Sequence, residues 1–128
     1  MNLLVISSAI FIIPTIISAN NKLWLEFSAC IYITIISSIH HYIRNNITSI
    51  LDKLGCYYLT YVCYVSAKRV NKLYIWAFAA TYSVCVYNIA YLFNILAWDP
   101  NINIALMWHM SMHLVVASSF SFNLYFQK

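Results

Sequence analysis

Long apolar stretches, interrupted by short polar clusters, run from one end of the chain to the other. Five can be drawn: residues 3–19, 23–43, 50–66, 73–97 and 102–122. Between them lie Asn20-Asn21-Lys22, Arg44 to Ser49, Ala67 to Lys72, and Trp98 to Asn101. Apolar runs of about 17–25 residues match the hydrocarbon thickness of a bilayer. Backbone polar groups in lipid must be satisfied within the segment, so each run is expected to be a helix. Connections this short make each helix antiparallel to the one before it. The expected fold is all-α, a polytopic membrane bundle of about five transmembrane helices forming one unit over residues 1–128. The first stretch also reads as a cleaved signal sequence with Ala19 at the cut, but it lacks a basic leader and runs long for one.

Composition points the same way. Hydrophobic residues make up 63% of the 128 positions and charged residues 8%, whereas a soluble domain carries roughly a quarter charged residues. The mean hydropathy is +0.75. One Gly and two Pro leave little turn chemistry for a compact β fold. The net charge of +4 does not imply a nucleic-acid partner, because the basic residues are scattered at helix ends and form no long run. Cys30, Cys56, Cys63 and Cys85 fall in or beside apolar stretches and show no C-x-x-C spacing; buried free thiols are expected.

Antiparallel packing puts Lys22, Lys68, Arg69, Lys72 and Lys128 on one side, and Arg44 and Lys53 on the other. The positive-inside rule then implies a cytoplasmic C-terminus and an outside or lumenal N-terminus. The sequon Asn46-Ile47-Thr48 falls in the second loop, close to the bilayer. Trp24, Trp98 and Trp108 sit near span ends, as interface aromatics do. Trp76 and many tyrosines are expected between helices, where their polar atoms need partners.

The informative residues are those that lipid should exclude. An Asp, Lys or Arg at mid-helix costs about 2.5–3.5 kcal/mol on insertion scales, so polar groups at that depth usually have a task. His109 and His113 are four apart and share a face of the fifth span, about 6 Å apart along the axis. Ser37 and His41 share a face of the second span, and Asp52 opens the third. All five arrive at one side of the membrane. Three neutral imidazoles and a water make a four-coordinate Zn²⁺ site with an open position. The metal would bring the pKa of its water to about 7, with Asp52 orienting that water or taking its proton and Ser37 supporting an oxyanion. An isolated H-x-x-x-H is weak evidence, since membrane histidines often only hydrogen-bond a neighbouring helix. His40 points about 100° away from His41 and reads as a headgroup or supporting residue.

Ser37-x-x-x-His41, Asp52 and His109-x-x-x-His113, in that order, resemble the ceramidase-like superfamily of membrane hydrolases, which includes alkaline ceramidases and the adiponectin/progestin receptors. Phe11-Ile-Ile-Pro14, Glu26 fifteen residues before His41, Asp52-Lys-Leu-Gly55 and Trp98-Asp99 resemble the branch containing myomaker and the transmembrane-protein-8 group. The likeness covers residues 5–66 and 97–122. It implies that His41, His109 and His113 hold Zn²⁺ and that Asp52 and Ser37 act on a lipid. The family has seven helices and this chain has room for about five. Removing an even number keeps the last helix in its orientation, so His109 and His113 still meet His41. The thinner wall leaves the pocket open to lipid or completed by a second copy of the chain.

Three functions are therefore in view: a zinc-dependent hydrolase of a lipid amide or ester, a non-enzymatic fusion or remodelling protein with a structural metal or histidine cluster, and a small channel or transporter. Membrane lipids are the expected partners, with a homo-oligomer second. The channel reading is the weakest, because no inverted repeat is visible and the spans lack proline apart from Pro14. Its best ion-site candidate, Glu26, is expected near the inner interface within reach of water.

Overall fold

The structure, a computed structural model, describes residues 3–127. Five helices account for nearly all of them: α1 Leu3–Asn20, α2 Trp24–Ile43, α3 Asn46–Arg69, α4 Leu73–Phe93 and α5 Ile102–Tyr125. No strand occurs among the described residues. α1, α4 and α5 are long and apolar enough to cross a membrane. α2 and α3, of 20 and 24 residues, are as long but carry Glu26, His40 and His41 in one and Asp52, Lys53, Lys68 and Arg69 in the other.

Several boundaries differ from the sequence expectation, each for a local reason. α3 begins at Asn46 because Asn45 and Thr48 cap each other. The Asn45 side chain accepts from the Thr48 N–H at 2.8 Å, and the Thr48 hydroxyl accepts from the Asn45 N–H at 3.3 Å. These bonds satisfy donors that a helix start leaves open. The sequon thus lies in the first turn of α3 rather than in a loop. α4 stops at Phe93 rather than residue 97, because Asn94 turns left-handed and a 3₁₀ turn, Leu96–Trp98, follows. With one glycine in the chain, the connections take their left-handed residues from Lys22, Arg44, Asn71, Asn94 and Leu96.

Two helices carry internal irregularities. In α1 the stretch Ala9–Phe11 is 3₁₀. Pro14 has no N–H to offer the Ile10 carbonyl, and its ring crowds that carbonyl. The turn before it tightens to i→i+3 bonding. In α4 the stretch Val84–Ile89 is a π-helix, which breaks the 3.6-residue repeat of the faces on either side of it.

Each helix packs on its chain neighbours, α5 closes onto α1, and α5 also touches α3. The core lies inside this ring, built from Phe11, Cys30, Ile33, Val62, Phe120 and Leu124 among others. Gly55 allows α2 and α3 to approach closely: a Cβ there would meet the Tyr32 ring at 2.8 Å and Ile33 Cδ1 at 3.1 Å. Trp76 joins α4 to α3, packing on Tyr64 with its Nε1 donating to the Thr60 carbonyl at 3.1 Å. Large apolar side chains such as Ile13, Ile35, Leu54, Phe78, Leu92 and Met107 point outward, the pattern of a surface in contact with lipid rather than water.

Cys30 and Cys63 are buried free thiols as expected, whereas Cys56 and Cys85 are exposed on the outside of the ring. Glu26 also departs from expectation. It is 1% exposed, paired with Arg69 at 2.6 Å and accepting from the Ser66 hydroxyl at 2.9 Å. It ties α2 to α3 and does not face water.

Candidate metal centre

The end of the ring opposite the Glu26–Arg69 pair gathers the residues singled out from the sequence. His41 is in the last turn of α2. His109 and His113 sit one turn apart on α5, so one helix face carries both rings. One ligand nitrogen from each of the three lies within 4.8 Å of the others. The ring centroids of His41 and His109 are 5.0 Å apart, those of His109 and His113 5.0 Å, and those of His41 and His113 5.6 Å. His41 and His113 are buried and His109 is half-buried. Zinc–imidazole bonds of about 2.0–2.1 Å place tetrahedral ligand nitrogens about 3.3–3.4 Å apart. The residues present therefore fit a divalent ion held by nitrogen, with room left for one more ligand.

Ser37 and Asp52 lie at the same end of the bundle. Ser37, one turn before His41 on α2, is 3% exposed and accepts from the Ser8 hydroxyl at 3.3 Å. Asp52, in the second turn of α3, faces the Ser37 hydroxyl. Its Oδ1 is buried without a hydrogen bond to any described group. A buried carboxylate oxygen without a donor is costly in a protein interior, and such atoms mark places where a water, ion or substrate is due. His40 is not part of the triad. Its Nδ1 meets the Thr48 hydroxyl at 3.2 Å and its ring packs against His41 at 5.3 Å, so it braces the end of α2 against the start of α3.

Two residues at this site escaped the sequence reading. Ser7 on α1 places its hydroxyl 2.9 Å from His113 Nδ1. Tyr87, inside the π-helix of α4, sets its ring edge-on to His109 at 5.8 Å. Trp98 holds Tyr87 there, packing on its ring at 5.1 Å and donating Nε1–H to its carbonyl at 2.8 Å. The neighbouring Asp99 accepts the Asn101 N–H at 2.8 Å, so Trp98-Asp99 shapes the connection into α5. The only sequence signal for Ser7 was a serine in an apolar span, one of several in this chain.

A scan against protein-family models finds no match to this chain, and comparison with curated proteins and with solved structures finds none either.

Proposed function

We propose that this membrane protein is a zinc-dependent hydrolase of a lipid amide or ester, similar in its site to the ceramidase-like superfamily. One observation carries the reading: imidazoles from helices far apart in the chain converge within ligand distance of one another. Zn²⁺ in such a site supplies Lewis acidity and makes water a nucleophile near neutral pH. His41, His109 and His113 would hold it. Asp52 Oδ1 would accept the proton of the attacking water. The Ser37 hydroxyl would donate to the oxyanion of the lipid carbonyl. Burial of the triad excludes bulk water and strengthens each of these interactions.

Depth and orientation support a lipid substrate. Lys22, Lys68, Arg69 and Lys72 cluster at the end away from the histidines, and Arg44 and Lys53 lie at the histidine end; Lys128 lies outside the described residues. This imbalance supports an outside or lumenal histidine end, at the depth of the outer-leaflet headgroup linkage.

The test is elemental analysis of the purified protein, followed by turnover of short-chain fluorescent ceramide and ester analogues with and without chelator. One zinc per chain and chelator-sensitive turnover are expected; a metal-free protein that binds no added zinc overturns the reading.

A second reading has its own observation. The backbones of α2 and α5 do not touch, yet their histidines do. An ion there would staple the ring across its middle, as suits a non-enzymatic fusion or remodelling protein. Asp52→Ala separates the two: it abolishes turnover with zinc retained if the site is catalytic, and changes no cellular activity if the ion is purely structural.

A further inference from the structure

A metal ligand's imidazole must present the right nitrogen, and the partner of its other nitrogen decides which one that is. In His113 a partner is the Ser7 hydroxyl, 2.9 Å from Nδ1. Either atom could donate in this pair, and the surroundings favour donation by the ring. The Ser7 hydroxyl also reaches the Leu4 carbonyl at 2.9 Å, where only the hydroxyl can be the donor. The nearby Ser8 hydroxyl reaches the same carbonyl but has Ser37 Oγ at 3.3 Å as a second acceptor. With its one proton directed at Leu4, Ser7 is left with lone pairs for His113. That arrangement suits a proton on Nδ1, with the lone pair of His113 on Nε2.

The geometry points to Ser7 as a positioning residue for the metal centre: it fixes His113 as the Nδ1–H tautomer with Nε2 turned into the triad, which makes α1 the helix that orients this ligand. The inference rests on the reading that the triad holds an ion, but the tautomer is a property of the metal-free chain too. The backbone explains how Ser7 comes to face α5. The 3₁₀ turn at Ala9–Phe11 advances about 120° per residue instead of about 100°. Over its three residues this turns the first six residues of α1 about 60° further around the axis than an unbroken helix would. His113 is buried and Phe11 packs edge-on to its ring at 5.8 Å, so the imidazole is held from the side as well as at Nδ1.

The experiment uses the full chain in detergent micelles or bicelles, with zinc affinity measured by competition against a chromophoric chelator. Ser7→Ala is expected to weaken zinc binding about 10–100-fold, as loss of such an outer partner does, while Ser7→Thr, which keeps the hydroxyl, restores most of it. In parallel, ¹⁵N-histidine NMR of the metal-free wild type is expected to show His113 as the Nδ1–H tautomer, with that preference lost in Ser7→Ala. Unchanged zinc affinity in Ser7→Ala, or a wild-type His113 protonated at Nε2, overturns the assignment. Should the wild type bind no zinc, the hydrolase reading falls, and the tautomer alone decides the role of Ser7. Should Ser7→Ala fail to fold, the wild-type tautomer and the Ser7→Thr affinity decide it.

Discussion

Each histidine near the centre has a distinct role fixed by what its ring touches. His109 offers a ligand nitrogen to the triad, so His109→Ala is expected to leave the purified protein with well under one zinc per chain by elemental analysis. His40 spends its Nδ1 on Thr48, so His40→Ala should keep zinc and lose only the brace between α2 and α3. The i, i+4 spacing of His109 and His113 was legible in the sequence because a regular helix turns four-residue separation into a shared face. The place of His40 was legible only in part. A 100° offset removed it from the triad, but the Thr48 hydroxyl that receives it sits on a helix start that hydropathy did not locate. Ser7 was not legible at all, because its direction depends on an irregular turn downstream.

The helices owe their placement to features that break the regular pattern. Pro14 overwinds α1 and so aims Ser7. Pro14→Ala allows the Ile10 carbonyl its normal partner and lets the turn relax to α. It is expected to carry Ser7 off His113 and weaken zinc binding, read by the same chelator competition, while raising the helicity seen by circular dichroism. The π-helix in α4 plays a similar part for Tyr87, and no 3.6-residue periodicity could have revealed it. At the other end, the Glu26–Arg69 pair ties α2 to α3 across 43 residues of sequence. Glu26 is 1% exposed and the Arg69 side chain 48%, so the two are not equivalent. Arg69→Ala strands a buried carboxylate, with a cost at or below the about 3–5 kcal/mol of a fully buried broken pair. Glu26→Gln leaves an arginine that can turn to water. Thermal unfolding in detergent should therefore show a larger loss for Arg69→Ala than for Glu26→Gln. Hydropathy made Glu26 look like an interfacial residue because a window along the chain cannot see a partner on the next helix.

At the scale of the whole molecule, five apolar stretches gave the helices and their antiparallel order, because lipid leaves the backbone no other choice. They did not say which helices would be neighbours around the ring, nor that α5 would close onto α1 while its histidines reach across to α2. That closure forms the histidine cluster. It brings residues 41, 109 and 113 within reach of a single atom, and it sets the Ser7 hydroxyl against His113. X-ray absorption at the zinc edge of the purified wild-type protein tests this arrangement most directly. A first shell of nitrogen and oxygen at about 2.0–2.1 Å with the multiple-scattering signature of three imidazoles is expected. A shell containing sulfur, or fewer than three imidazoles around the ion, would contradict it.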